Sequence, residues 1–222
     1  MMTEPKDDVA QYFDKLSKDW STHYRRSFLF AQRHDAFNQA VERFADPAGS
    51  ALDYGCGSGV LTRLLIGRFN RIVATDISEE MRRATELAFA SEPSVSVIEP
   101  DALLNRVFDL VLCSSVIEYV EEPEEFLLRL RCHLKPGGVL LLSAPNRAGV
   151  IQVLHRLVAT LRRDSYISYQ RHRFAHYAVR DLLFRSGFRV ESLSSPVGLP
   201  LMRLMGMGEL MLCVARRREK QA

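Results

Sequence analysis

The N-terminal part of the chain places apolar side chains at helical spacing. In residues 9–20 they recur every three or four positions, which predicts one buried face of a helix made of Val9, Tyr12, Phe13, Leu16 and Trp20. A second helix is predicted from Phe28 to Phe44, and the following Asp46, Pro47 and Gly49 end it. We therefore expect residues 1–48 to form a helical lid on the rest of the chain.

From Ser50 onward, short apolar runs alternate with amphipathic segments. Seven runs are predicted as strands: Ala51–Tyr54, Arg71–Thr75, Val95–Ile98, Phe108–Cys113, Val139–Ser143, Phe188–Leu193 and Leu210–Ala215. Three intervening helices are expected around Val60–Leu65, from Ser78 to Ala90 and from Pro123 to Leu134. Because repeated strand–helix units require parallel strands with right-handed crossovers, the predicted fold is α/β, a doubly wound, seven-stranded and mainly parallel sheet.

Composition is consistent with a single domain over residues 1–222, with 47% hydrophobic and 26% charged residues. A net charge of +3 is too small to indicate a nucleic-acid partner by itself. The chain does not open on a signal peptide, and its apolar runs are shorter than the roughly 20 residues of a spanning helix. We therefore predict a cytoplasmic protein.

Residues 150–163 combine an apolar stripe with basic flanks, His155, Arg156, Arg162 and Arg163. Such a helix is either an ordinary solvated surface helix or one that lies in an anionic membrane interface. A peripheral membrane contact through 150–163 is therefore one hypothesis. Cysteine and histidine spacings show no metal cluster, so we expect no metal.

The chemistry is carried by a glycine-rich turn after the first strand, Leu52–Gly59. Its alternating glycines allow a tight turn and let a ligand approach main-chain N–H groups. Asp76 ends the second strand, where a carboxylate accepts both hydroxyls of a ribose. Asp101 follows the third strand, where it is suited to an adenine amino group. A nicotinamide fingerprint starting at Gly55 requires glycine at Val60, which argues against a dinucleotide.

These motifs resemble those of class I S-adenosylmethionine-dependent methyltransferases, in family order. Leu52–Gly59 resembles their first motif, and Asp76–Ser78 with Met81 their second. Phe108–Val120 resembles the fourth-strand motif, and Leu134–Gly138 the turn before the fifth strand. The resemblance implies a Rossmann-like fold, S-adenosylmethionine as methyl donor and S-adenosylhomocysteine as product.

The resemblance also implies residue roles. The first motif would run under the methionine part of the donor, Asp76 would hold the ribose, and Ser114 would lie near the methionine amino end. The implied donor-binding set is Asp53, Gly55, Cys56, Gly57, Gly59, Asp76, Ile77, Met81, Asp101, Ala102 and Ser114. The family's glycine before the third-strand aspartate is replaced by Pro100, and Tyr119 stands where many relatives have histidine.

A further similarity, to the ubiquinone-biosynthesis O-methyltransferases, comes from Ala144–Arg147 and from Arg171–Phe174 before Gly187. It implies that residues 49–146 form the donor-binding core, 147–186 an acceptor-side helical segment, and 187–222 the last two strands. We expect a small-molecule acceptor, most simply a hydroxyl of an aromatic or lipophilic metabolite. His172, His23 and His176 are the candidate general bases, with His172 first because it lies on the acceptor side.

Other functions stay open at this point. Methylation of nitrogen or carbon in a small metabolite needs the same donor site. A nucleic-acid methyltransferase is disfavoured because Ser114–Ile117 lacks the Asn/Asp-Pro-Pro-aromatic run of adenine-N6 enzymes. A donor-binding module without turnover would keep the same glycines and carboxylates. The sequence leaves the oligomeric state, the pathway and the acceptor open.

Overall fold

The computed structural model describes residues 8–17, 28–149 and 169–219. Seven strands form one sheet in the order β3-β2-β1-β4-β5-β7-β6, with bounds β1 Asp46–Tyr54, β2 Phe69–Thr75, β3 Val95–Val97, β4 Phe108–Ser114, β5 Leu134–Pro145, β6 Phe188–Val197 and β7 Leu210–Arg217. The first five strands pair in parallel, and β7 runs antiparallel to both of its neighbours. The predicted seven-stranded, mainly parallel sheet is confirmed.

Six α-helices flank the sheet in the described ranges. They are α1 at 8–17, α2 Phe28–Arg43, α3 Glu79–Ala88, α4 Pro123–Cys132, α5 His176–Arg185 and α6 Pro200–Leu204. Their apolar side chains pack on both faces of the sheet. One face holds Phe126 and Leu183 from α4 and α5, and the other holds Phe37 and Val41 from α2. Burial on both faces makes the strands continuous apolar runs rather than alternating ones.

The helix predicted around Val60–Leu65 is wrong: this segment contains only a 3-10 turn, Thr62–Leu65. Gly59 and Gly67 both have positive φ angles, 79° and 74°, and β2 begins soon after Gly67. Too few residues remain between the two glycines for a stable α-helix. The turn still buries its leucines, so the hydrophobic pattern identified burial but not helix type.

The sheet order positions the candidate site. β1 lies between β2 and β4. The chain therefore adds β2 and β3 on one side of β1 and later adds β4 on the other side. Ligands bind in such sheets beyond the carboxyl ends of the strands at this reversal point. The turns that follow β1, β2 and β4 all begin at that edge of the sheet.

Candidate active site

A cavity of about 1570 Å³ opens at the carboxyl ends of β1, β2 and β4. Small-molecule pockets usually have volumes of roughly 300–1,000 Å³, so this one has room for two ligands side by side. Helix α1 lines it with Val9, Tyr12, Phe13 and Leu16. The predicted N-terminal lid therefore contributes α1 to the wall of the cavity.

The glycine turn after β1 forms one end of the cavity. Gly55 and Gly57 have φ angles of 81° and 54°, a region that side-chain-bearing residues seldom adopt. A Cβ added to Gly55 would lie 2.3 Å from Cγ2 of Val116. The Gly55 and Cys56 amides donate to the Thr75 carbonyl at 2.8 and 2.9 Å, which ties the turn to the end of β2. The sequence needs glycine here for both backbone angle and space.

Asp76 links this turn to the next one. Its Oδ2 accepts the Gly57 amide at 2.8 Å, and its Oδ1 accepts the Ser78 amide at 2.9 Å. Burial raises the pKa of Asp76, while those amides and the nearby Arg82 guanidinium oppose the rise. Each carboxylate oxygen has further lone pairs for ligand hydroxyls, so Asp76 fits the predicted ribose-binding role.

The side chains around Asp76 complete this half of the cavity. Met81 is buried and Ile77 is 46% exposed, and both line the cavity. Ser78 caps α3 by accepting the Met81 amide at 3.1 Å, and its hydroxyl donates to Asp14 of α1. The apolar surface of Ile77 and Met81 is suited to the flat face of a nucleobase.

Asp53 lies at the end of β1, fully enclosed. Its Oδ2 accepts the Thr62 hydroxyl at 2.6 Å. Burial raises the pKa of Asp53 to about 7, against the Thr62 hydrogen bond and the charge of Arg33. Asp53 is therefore held near the middle of its titration at neutral pH and lines the cavity beside the glycine turn.

Arg33 is a cavity residue that the sequence analysis missed. It projects from α2, is only 9% exposed, and donates from Nε to the Ser114 hydroxyl at 3.0 Å. The Ser114 hydroxyl also lies 3.1 Å from the Ser143 hydroxyl. Ser114, which was predicted to bind the donor, therefore belongs to a buried cluster of hydrogen-bonded side chains. A signal was available: Arg33 falls on the apolar stripe of its helix, between Phe30 and Phe37. A buried arginine fixed in this way is suited to a carboxylate.

Glu118 was also missed. It is 2% exposed, lines the cavity, and burial raises its pKa to about 7. Its sequence signal is an acidic residue inside the apolar run from Val116 to Val120. The cavity therefore contains two enclosed carboxyl groups, Asp53 and Glu118, with pKa values near neutrality.

The other predicted residues divide into two groups. Cys56 and Asp101 line the cavity, Cys56 buried and Asp101 exposed. Gly59 and Ala102 are not among the lining residues. A Cβ on Gly59 would lie 2.5 Å from the Phe89 ring, so this glycine is required for packing against the end of α3. Their donor-binding roles stay predictions.

Two of the three candidate bases, His172 and His176, are placed by the structure, and both bond to groups of the protein itself. Nε2 of His172 is 3.1 Å from the Glu121 carbonyl oxygen, and Nε2 of His176 is 2.9 Å from the Ser195 hydroxyl. His172 and His176 are not among the residues that line the cavity. His23, Trp20 and the segment 150–163, predicted as a basic amphipathic helix, fall outside the described residues.

Aromatic side chains from three segments pack together, and Tyr12, Phe13 and Tyr119 among them line the cavity. Phe13 of α1 contacts Tyr119 edge to face, with ring centroids 5.4 Å apart. Tyr12 packs on Tyr169 at 4.5 Å. These pairs join α1, the turn after β4 and the segment before α5. Pairs of this kind stabilise by roughly 0.5–1.5 kcal/mol beyond area burial.

The two enclosed carboxyl groups predict an unusual pH dependence of stability. In the unfolded chain the carboxyl groups of Asp53 and Glu118 have pKa values near 3.8 and 4.5, whereas in the folded chain both pKa values are about 7. The folded state binds more protons between these values, so the free energy of unfolding should fall as pH rises from about 4 to 7, on the order of a few kcal/mol. Urea unfolding at several pH values measures the slope. Asp53→Asn should make the slope shallower, and an unaltered slope would contradict the assignment; the exposed Asp46→Asn is the control.

Within the described ranges, no helix is long and apolar enough to span a membrane. In the same ranges, no cluster of three or more histidine, cysteine or acidic residues is arranged to hold a metal ion. Metal independence and a cytoplasmic location stay predictions.

Comparison with known proteins places this geometry in a family. Residues 22–193 match the model of a family described as a methyltransferase domain. Over 114 residues the chain is 32% identical to a ubiquinone biosynthesis O-methyltransferase of Rickettsia canadensis (strain McKiel), covering 49% of this chain and 48% of that protein. The chain thus spans about half the length of this relative.

Solved structures share the fold across nearly the whole chain. The magnesium protoporphyrin IX methyltransferase of Synechocystis PCC 6803, with bound S-adenosylhomocysteine, superposes with a TM-score of 0.73 at 18% identity, covering 96% of this chain and 99% of that one. An N-methyltransferase of Bradyrhizobium japonicum WM9, also with S-adenosylhomocysteine, gives 0.70 at 16% identity, covering 95% and 99%. The chain therefore belongs to the methyltransferase domain family, and its fold is the class I S-adenosylmethionine-dependent methyltransferase fold that the sequence motifs predicted.

Proposed function

We propose that the protein methylates a hydroxyl group of an aromatic or lipophilic small molecule, with S-adenosylmethionine as donor. The observation that carries this proposal is that one cavity is lined both by the glycine turn with Asp76 and by aromatic side chains of α1 and Tyr119.

The glycine turn and the residues around Asp76 fit the donor. Gly55 and Gly57 hold the turn at positive φ, Asp76 has further lone pairs for a ribose, and Ile77 and Met81 offer apolar surface to adenine. The bound donor supplies a methyl group already activated by its sulfonium charge. The protein's task is then to align the acceptor and exclude water, which is worth roughly 7–11 kcal/mol of the barrier.

The aromatic part of the cavity lining favours a flat or lipophilic acceptor. Tyr12, Phe13 and Tyr119 line the cavity together with the apolar Val9 and Leu16. The Rickettsia relative is an O-methyltransferase, which supports oxygen as the methylated atom, whereas the Bradyrhizobium neighbour is an N-methyltransferase. The acceptor atom is therefore the point that experiment must decide.

A direct test incubates the purified protein with S-adenosylmethionine and a panel of catechols, quinols and aromatic amines, followed by mass spectrometry. We expect a methylated product from a catechol or quinol and release of S-adenosylhomocysteine. Product from amines alone would replace the proposal with N-methylation. Donor binding by calorimetry without any product would identify a binding module.

Arg33 gives a sharper prediction about donor binding. Its guanidinium is enclosed beside Ser114, so we propose that it pairs with the donor's carboxylate. Losing one charge-assisted hydrogen bond typically costs about 1.5–3 kcal/mol. Arg33→Met should therefore weaken S-adenosylhomocysteine binding by about 10- to 100-fold in calorimetry. The control Arg43→Met, in the same helix but solvent-exposed and paired with Glu191, should leave affinity unchanged; equal affinities for all three proteins would contradict this role.

A further inference from the structure

Glu118 is held in place by the turn that follows β4. In this turn Ser115 has a φ of 55°, a conformation that a serine adopts only under local constraint. The Ser115 amide donates to the Ser143 hydroxyl at 3.0 Å, and the Tyr119 amide donates to the Val116 carbonyl at 2.9 Å. Val116 in turn packs against Gly55 of the donor turn. Glu118, two residues after Val116, thus lines the cavity close to the donor turn.

The main chain of Glu118 is fixed from a second side. Its carbonyl oxygen accepts the amides of Arg171 and His172, at 2.8 and 3.2 Å. The segment predicted to face the acceptor is therefore joined to Glu118 through the backbone. Sequence reasoning identified this segment through the His172 side chain, whereas the structure shows that its backbone fixes an acidic residue.

The carboxyl group of Glu118 has unused hydrogen-bonding capacity. Among the described residues, its Oε2 has no hydrogen-bond partner, although the residue is only 2% exposed. An enclosed carboxyl oxygen without a partner is costly in a folded protein, so it calls for a ligand or a chemical role. The other enclosed carboxyl, Asp53, differs because Thr62 occupies its Oδ2.

The groups around Glu118 allow its carboxyl to act as a proton acceptor at neutral pH. Burial raises its pKa to about 7, and the charge of Arg33 and a hydrogen bond from Ser115 limit that rise. Cys113, on β4, is a buried thiol whose own pKa is raised by burial and by the charge of Glu118. Arg171 and His172 are the nearby titratable residues of the acceptor-side segment, and their contact is through the main chain. A base with a pKa near the working pH is the most effective kind.

We propose that Glu118 is the catalytic base, and that its Oε2 accepts the proton of the acceptor hydroxyl during methyl transfer. This inference rests on the proposed function. The O–H bond breaks and an Oε2–H bond forms, while its electron pair stays on the acceptor oxygen, which bonds to the methyl carbon. The donor sulfur keeps the electron pair of the C–S bond that breaks. Glu118 then returns the proton to solvent after the product leaves.

The first test compares two acceptors of the same shape and different acidity, catechol and 4-nitrocatechol. Glu118→Gln should lower kcat/KM for catechol by about 10²–10⁴-fold, the usual effect of removing a general base. With 4-nitrocatechol, which is largely ionised without help at pH 8, the loss should be less than about tenfold. Glu124→Gln is the matched control, since Glu124 lies outside the cavity lining and pairs with Arg185.

The second test measures binding without the donor, by calorimetry of catechol and of 1,2-dimethoxybenzene, which has no hydroxyl to donate. A carboxylate accepts a stronger hydrogen bond than a protonated carboxyl. The wild type should therefore increase its preference for catechol by about fivefold or more between pH 5.5 and 8. Glu118→Gln should show no such increase.

Each result has a separate meaning. If Glu118→Gln lowers kcat/KM equally for catechol and 4-nitrocatechol, Glu118 has a structural role. The inference is then overturned, while the proposed function stands. An unchanged catechol preference across pH in the wild type would overturn it as well. If the wild type binds the donor but methylates neither catechol, the proposed acceptor class is wrong and the inference fails with it.

Discussion

Replacing Asp76 by alanine should weaken S-adenosylmethionine binding by about 100-fold or more. The substitution removes a carboxylate that we propose accepts two ribose hydroxyls, and each such charge-assisted bond contributes about 1.5–3 kcal/mol. It also leaves the Gly57 and Ser78 amides without their present acceptor, so the glycine turn is joined to the end of β2 only through the Thr75 carbonyl. Calorimetry with S-adenosylmethionine and with S-adenosylhomocysteine measures the loss.

Two further variants distinguish the effect of the Asp76 charge on donor binding from its support of the glycine turn. Asp76→Asn keeps one acceptor oxygen and should lose less affinity, about tenfold. Asp46→Ala removes a carboxyl that accepts the Ala48 amide at 3.0 Å far from the cavity lining, and should leave affinity unchanged. If Asp76→Ala binds within threefold of the wild type while its circular dichroism spectrum is native, the donor site lies elsewhere.

Gly55→Ala should destabilise the fold by about 2–5 kcal/mol and also weaken donor binding. The φ of 81° alone costs roughly 1–2 kcal/mol in a residue with a side chain. Overpacking against Val116, 2.3 Å from the added Cβ, adds roughly 1–3 kcal/mol. Urea unfolding gives the free energy, and calorimetry on the folded fraction gives the donor affinity.

Gly67→Ala is the matched control for this prediction. Gly67 has a similar φ of 74°, but an added Cβ there would meet no atom within 4 Å. It should show the backbone cost alone, about 1–2 kcal/mol, with donor affinity unchanged. A second control, Gly55→Ala combined with Val116→Ala, should recover the packing part of the loss. Equal destabilisation by Gly55→Ala and Gly67→Ala would show that contact with Val116 carries no energetic weight.

The sheet was predictable because burial on both faces produces continuous apolar runs. All seven predicted strands exist, and several extend further than predicted, as β5 does from Leu134 to Pro145. The glycine turn and Asp76 were also predictable, since a backbone that turns with positive φ beside a strand-end carboxylate leaves a local sequence pattern. The helix predicted from Ser78 to Ala90 forms as α3, with Ser78 as its N-cap.

Arg33 and Glu118 were not predicted because their roles depend on contacts between distant segments. Arg33 reaches Ser114, which is 81 positions away in sequence, and nothing local to α2 requires that pairing. Glu118 was one glutamate in an acidic stretch, and only its enclosure distinguishes it from the exposed Glu121 and Glu122. The histidines were chosen by residue type, and His172 was ranked first by its position in the acceptor-side segment; neither criterion shows which side chains border a cavity.

The bond between Ser78 and Asp14 has a consequence for how the two substrates influence each other. The Ser78 amide is held by Asp76 and the Ser78 hydroxyl by Asp14, so the carboxylate that we propose binds the ribose is two hydrogen bonds from α1, which lines the same cavity. A donor that steadies Asp76 thereby steadies α1. By thermodynamic reciprocity, an acceptor that packs on α1 must tighten donor binding by the same factor.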